Sequence, residues 1–477
     1  MSRPTFNPKE ISKEQLGVIE KLRAQGVDVV RVHYSDIHGV ARGKDVPLAA
    51  FPHVMAEGLA FCAANLADGL NFSLANLAER VAASPRSNPG PNPEARRGEE
   101  ADSCPTTVFP DMRVRVIPST LLQLPWEPST AWCLATVDED DAQSACSSRN
   151  VLERVVSQYR SMGLVTVSAP ELEFYLLRRD AQGQLRRYTD DLSMIYTTGT
   201  RSDPEGVVLE MLRYGRQMGL DVIASHHECG RGQYEINLNH GESLDAADRC
   251  FRFKVMVKEI AARHNLLATF MGKPFGNDAG SGFHLHVSLS DEAGNRFYDP
   301  QAQDGLSDLA GHFLAGVLEH ASALTAFYSP TVNSFKRFVP GTLVPTAVNW
   351  GYDNRTTFLR VPNERGPATR VEIRAADAAA NPYLVAAVSL LAGLDGIRRK
   401  LLPPAPLRGD ASTGDSIGKP LPRNLEDSLK ALQSDGCLVE AIGQPLVSAF
   451  CAAKAVEAER FRLHVTEWEI SEYAWHL

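Results

Sequence analysis

The spacing of apolar positions changes several times along this chain. From Ser12 to Gln25 they recur at helical intervals, which predicts a helix. Val27 to Tyr34 then alternates as a strand, Asp36-Ile-His-Gly39 reads as a turn, and Val40 to Val46 returns as the second arm of a hairpin. Strand-like runs follow at Val114 to Ile117 and Trp132 to Val137. Between them, residues 80–105 are dense in proline, glycine and charge, which predicts a long flexible loop. The polar stretch 138–150 marks a domain boundary. Beyond it, helical spacing over Arg149 to Met162 precedes a strand within Leu164 to Arg178. Helices are predicted over Glu205 to Met218, Ala246 to Arg263 and Leu306 to Phe327, with a largely helical end from Leu425 to Ile470. The pattern predicts an α+β protein, with a small β-rich domain over 1–138 and a larger domain over 139–477.

Composition narrows the function without naming it. Hydrophobic residues make up 44% of the 477 positions and charged residues 22%, ordinary for a globular protein. A net charge of −9 disfavours nucleic acid as a partner. The longest apolar stretch, Tyr383 to Leu394, is too short to cross a bilayer, and the N-terminus has no apolar signal region. The eight cysteines form no CxxC pair and no zinc spacing, so free thiols in a reducing cytoplasm are expected.

The chemistry is concentrated in strands whose two faces differ. Side chains alternate along a strand, so Glu171 and Glu173 share one face while Leu172, Phe174 and Leu176 share the other. Gln233, Glu235, Asn237 and Asn239 repeat the pattern, as do His284, His286 and Ser288, and then Arg370, Glu372 and Arg374. One such strand is simply a wet sheet face; four of them predict a polar funnel. Crowded carboxylates repel unless cations lie between them, and Mg²⁺ or Mn²⁺ take carboxylate oxygen with an occasional imidazole. Arginines beside them suit phosphate or carboxylate. These are parts for phosphoryl transfer, yet neither a Walker A signature nor GxGxxG occurs.

The segments ELEF, HHE with GQYE, GSGFHLHVS, NSFKRFVPG, NRTTFLRVP and RVEIRAAD with NPYL occur in the order of the glutamine synthetase motifs. Over about 150–400 the chain resembles that superfamily. The N-terminal hairpin and Leu124-Pro-Trp126 resemble its β-grasp domain more weakly. The resemblance implies a β-grasp domain followed by a catalytic domain whose curved antiparallel sheet forms the funnel. It also implies a cytoplasmic homo-oligomer built of rings, a dodecamer, with no membrane or nucleic-acid partner. The implied chemistry uses ATP to phosphorylate the γ-carboxyl of glutamate, after which an amine displaces phosphate, with two or three Mg²⁺ or Mn²⁺ per site. By resemblance, Glu173, Glu228 and Glu235 hold the ion nearer glutamate, while Glu171, His284 and Glu372 hold the ion nearer the transferring phosphate. Arg337 and Arg374 grip glutamate, beside Gly280, Glu173 and His284; Arg355 meets the transferring phosphoryl group; His286, Ser288, Arg360 and Arg370 contact ATP. His240 falls where an aromatic stacks on adenine; Cys229 is expected to pack, and His226 and His227 to be structural.

The chain departs from glutamine synthetase at the nitrogen site. That enzyme resembles this chain but holds ammonium with an aspartate where Cys62 stands and a glutamate where Leu343 stands. Without those anions, the segment with Cys62 and Asn65 and the loop with Leu343 suit an amine carrying an apolar alkyl or aryl group, opening amine catabolism or detoxification. The resemblance therefore points to glutamate–amine ligases of the γ-glutamylpolyamine, γ-glutamylmethylamide or γ-glutamylanilide synthetase type. The alternatives are a γ-glutamylpolyamine synthetase, a glutamine synthetase using ammonia, and a non-catalytic relative. The last would be expected to have lost metal ligands, and none is lost here.

Overall fold

A computed structural model describes residues 11–67, 110–189, 195–411 and 418–477. The predicted 80–105 loop lies outside the described residues. The first helix, Lys13–Ala24, is set by a capping box in which Ser12 and Gln15 satisfy each other's backbone N–H. Strands β1 (Val29–Ser35) and β2 (Ala41–Pro47) form the predicted hairpin. With β3 (Leu59–Cys62), β4 (Asp111–Val116), β5 (Leu122–Leu124) and β6 (Glu127–Val137) they make a six-stranded sheet in the order β2-β1-β6-β4-β3, with β5 on β6. The β1–β6 pair is parallel.

The second sheet has eleven strands. Its axis is β7 (Val165–Arg179), to which short strands β8 (Leu185–Arg187), β11 (Gly241–Glu242) and β12 (Leu266–Thr269) attach. From one end, β9 (Val222–His227) pairs with β10 (Gln233–Leu238), then β7, then β13 (Phe283–Asp291). The short strands Val371–Ile373, Leu359–Val361 and Trp350–Tyr352 continue the path. The sheet is curled into a half-barrel, the curved sheet that the resemblance implies. It is antiparallel except at its far edge, where Trp350–Tyr352 runs parallel to Leu359–Val361. Helices Ser148–Ser161, Ser243–Arg263 and Pro382–Arg399 cover its apolar face, and Phe174, Phe253 and Leu285 are among the buried side chains between.

The predicted helix over 306–327 is two helices, Asp308–Glu319 and Ala321–Tyr328. His320 interrupts them at φ −89°, ψ 2°. Its imidazole is held between Asp435 (Nδ1 to Oδ2, 2.6 Å) and Asp395 (Nε2 to Oδ2, 3.1 Å). Apolar spacing runs through the break undisturbed, so the pattern could not reveal it.

The two sheets are joined at specific points. Trp126 Nε1 donates to Glu259 at 2.8 Å, and Asn381 Nδ2 donates to the Asp36 carbonyl at 3.0 Å. Asn381 also caps helix Pro382–Arg399. Gly39, at φ +78°, lies so close that a Cβ there would sit 3.0 Å from the Asn381 Cα.

Candidate active site

Sheet register places the polar residues side by side. Glu171 lies opposite His284 across β7 and β13, and His286 lies opposite Glu372. On the other side of β7, Glu173 faces Glu235 on β10, which faces His226 on β9. Each is the outcome of two-residue alternation: the apolar neighbours Leu172, Phe283 and Leu285 go to the core.

Two groups of potential ligand atoms result. Donor atoms of Glu171, His284 and Glu372 lie within 4.8 Å of one another, as do those of His226, Glu228 and Glu235. The first is the set the resemblance implies. In the second, His226, expected to be structural, stands with Glu228 and Glu235 (Nε2 to Glu228 Oε1, 2.8 Å). Its place in the group follows from its register opposite Glu235 across β9 and β10. Glu173 is instead tied back, its Oε2 accepting from Gln233 Nε2 at 2.7 Å and from the Gly282 N–H at 2.9 Å. Cys229 is exposed rather than packed; its N–H donates to Glu228 Oε2 at 3.1 Å.

Charge divides the carboxylates. Burial alone would raise Glu171, but His286 and His284 reverse this and hold it well below the usual range. Burial likewise opposes ionisation of Glu372, yet Arg374 and the same imidazoles hold it down at about 2. Glu372 Oε2 accepts from Arg360 at 2.6 Å, and Oε1 from Arg374. Glu235 is pushed well above the usual range by burial and by Glu171, Glu173 and Glu228; Glu173 is pushed up chiefly by burial. Anionic oxygens crowded with one imidazole per group fit hard divalent cations such as Mg²⁺ or Mn²⁺.

The arginines surround this cluster. Arg337 is buried, donates to the Ala375 carbonyl at 3.1 Å, and leaves its Nε without a partner among the described residues. Gly280 and Gly282 press against it: a Cβ on Gly282 would sit 2.9 Å from His284 Nε2 and 3.1 Å from both Arg337 and Glu173. Arg374 Nε donates to the Arg355 carbonyl at 3.0 Å, while the Arg355 side chain is exposed. Arg370 Nε donates to His286 Nδ1 at 3.1 Å, so the proton of His286 sits on Nε2, 3.1 Å from Glu171. His286, Ser288, Arg370 and His240 line one cavity of about 650 Å³, with Ile223 and Asn295. Arg360 lies outside it, paired to Asp353 and Glu372.

The nitrogen-site residues stand on separate elements. Cys62 ends β3 opposite Asp111, and Asn65 is half-buried in the short turn Ala63–Leu66. Leu343 tips the loop after Arg337 in a left-handed conformation (φ +59°), 53% exposed. Among the described residues, no single helix is long and apolar enough to cross a membrane.

Comparison with known proteins bears on this site. The family model for the glutamine synthetase catalytic domain matches residues 145–473. Glutamine synthetase from Halobacterium salinarum is 32% identical over 99% of both chains, and that from Thermus thermophilus is 33% identical over 96% of this chain and 98% of its own. The solved structure of a GmaS/ADP complex superposes with a TM-score of 0.80 at 31% identity, covering 96% of this chain and 99% of GmaS. Ligases of this kind form carbon–nitrogen bonds using ATP and divalent metals. The paired carboxylate groups, the arginines around them and these matches together show that the chain belongs to the glutamine synthetase family.

Proposed function

We propose that this protein joins the γ-carboxyl of glutamate to an organic amine with an apolar alkyl or aryl part, through γ-glutamyl phosphate. The observation that carries the reading is the nitrogen site: Cys62 and Leu343 offer no carboxylate to hold ammonium. The likeness to GmaS, a γ-glutamylmethylamide synthetase, supports it.

Glu171, His284 and Glu372 would hold one divalent ion, and Glu228 and Glu235, with His226 and Glu173 beside them, another. Bound Mg²⁺ or Mn²⁺ supplies the positive charge that a phosphoryl group in transit requires. The chain's own residues do the rest. Arg360 and Arg374 clamp Glu372 from both oxygens and so fix its position. Arg370 sets the tautomer of His286 at the mouth of the cavity that would take ATP. Arg337, with its free Nε, and Arg374 would grip glutamate beside Gly280. Arg355, exposed on its turn, is free to swing to the transferring phosphoryl group. A γ-carboxylate oxygen attacks the terminal phosphorus of ATP and ADP leaves. The amine nitrogen then attacks the acyl carbon, phosphate leaves, and the nitrogen gives up a proton. In this reading Cys62, Asn65 and Leu343 line the amine pocket, and the protein assembles as a ring-based homo-oligomer, a dodecamer.

The test is phosphate release from ATP with magnesium, glutamate and a panel of amines, with product masses read in parallel. The panel is ammonia, methylamine, ethanolamine, isopropylamine, putrescine, spermine and aniline. An organic amine outpacing ammonia and giving the γ-glutamyl amide mass is expected. Ammonia as the best substrate would make this a glutamine synthetase, as its curated relatives are named.

A further inference from the structure

A second large cavity lies away from the catalytic face, where the N-terminal turn meets the catalytic domain. Its volume is about 710 Å³, within the ordinary range for small-molecule sites, which favour domain junctions. One wall is the 37–40 turn, another is β12 with Phe270 and Met271, and a third carries Phe450 and Lys454 from helix Gln444–Arg462.

The walls are apolar, yet three lysines line them: Lys254, Lys258 and Lys454. Two are almost fully buried, Lys254 at 6% and Lys454 at 1% exposure. Buried ammonium groups are costly unless they are paired. Lys454 has Glu457 at 3.0 Å, the single carboxylate in the lining. Lys254 donates to two backbone carbonyls, those of Ala378 (2.9 Å) and Ala380 (3.1 Å), which carry no full charge. Asp36 and Asp377 lie nearby, but neither lines the cavity, and Asp36 is bound to Arg42 at 2.9 Å. Burial depresses Lys254 to a pKa of about 8, consistent with incomplete compensation. Lys258 is exposed, with its ammonium 5.9 Å from the centre of the Phe270 ring. The lining thus holds three cationic side chains against one anionic side chain, with aromatic and aliphatic surface around them.

We propose that this cavity binds a small amphipathic carboxylate, its anion among the lysines and its apolar body against Phe270, Phe450 and Leu384. Charge complementarity argues for an anion, and the apolar walls argue for a hydrocarbon body. The position gives such a ligand a route to the active site. It would touch β12, which pairs with the strand bearing Glu171 and Glu173, and Asn333, which stands four residues before Arg337 and whose Oδ1 accepts from the Lys273 N–H. It would also touch Asn381, which holds the N-terminal turn.

The probes are octanoate, octanol and octylamine, titrated calorimetrically into the full-length protein. Octanoate is expected to bind at least about tenfold more tightly than either comparison compound. Lys258→Glu reverses an exposed charge, and Ala262→Trp fills the mouth from an exposed position, so neither disturbs the core. Each is expected to weaken octanoate by about tenfold or more while leaving phosphate release without octanoate intact. Equal binding of octanol, no binding of octanoate, or unchanged octanoate affinity in both variants would overturn the proposal. So would a change in oligomeric size on Ala262→Trp with no octanoate site in the wild type; that result would assign the cavity to a second copy of the chain.

Discussion

Two clusters in the catalytic domain are built from the same residue types and behave in opposite ways. At the helix break, His320 is sandwiched by Asp435 and Asp395, and Asp395 also accepts from Arg399 at 2.8 Å. Positive and negative groups balance, both ring nitrogens are engaged, and the cluster is closed. On the sheet, His226 stands with Glu228 and Glu235, and Glu173 and Glu171 add further charge. Those carboxylates are not balanced, and Glu235 carries the strain as a raised pKa. What separates the histidine clusters read here as ion sites from the closed one is that their donors face the funnel, and in the His226 group the charges also fail to cancel. This is why Cys437, though within ligand distance of His320 and Asp395, adds no metal centre to our reading.

The largest expected effect comes from unbalancing the sheet further. Glu372→Ala removes a metal donor and leaves Arg360 and the buried Arg374 facing each other. We expect kcat to fall at least about a hundredfold, read by phosphate release. Breaking such a buried pair is expected to cost about 3–5 kcal/mol in urea unfolding. Glu372→Gln, which keeps the shape, should lose activity with a smaller loss of stability.

Next in size is removal of divalent metal. A carboxyl with a raised folded pKa stabilises the fold at low pH and loses that contribution as pH rises through the folded value. Metal-free protein should therefore lose stability as pH rises above the ordinary glutamate range, and Mg²⁺ should restore it. At a hundredfold excess over its Kd the ion contributes about 2.7 kcal/mol. Thermal scans with and without chelator should diverge at pH 8 and converge toward pH 5; parallel curves would break the comparison.

His320→Gln tests the closed cluster. The raised pKa of His320, set by its two aspartates against burial, means the clamp is fully present below pH 6.5 and fades as pH rises through the folded value. A loss of about 2 kcal/mol is expected at pH 6, shrinking in alkali, with kcat unchanged at pH 6. The smallest effect is that of Cys437→Ser, which should alter neither Tm nor metal stoichiometry. A thiolate-to-cobalt absorption band present in the wild type and lost in this variant would show the cluster to be an ion site after all.

Much of the site was legible because a strand encodes its own facing. Glu171 and Glu173, or His284 and His286, announce a shared face by spacing alone, and the fold then only has to align the strands. What spacing cannot carry is relation across strands. His226 joined the acidic group through its register with Glu235, a property of two segments at once. Likewise the helix break at His320 depends on Asp395 and Asp435, which come 75 and 115 residues later. Glu173 is held by Gln233 and Gly282, partners that no local pattern couples to it.

The close seat of Gly39 against Asn381 bears on how freely the two halves of this protein can be exchanged. Asn381 caps a catalytic-domain helix and also fastens the N-terminal turn, and the turn fits only because position 39 has no side chain. The N-terminal half is thus keyed rather than tethered. A chimera that borrows the N-terminal part from a relative should keep its activity only if the turn and residue 381 are moved as one matched unit.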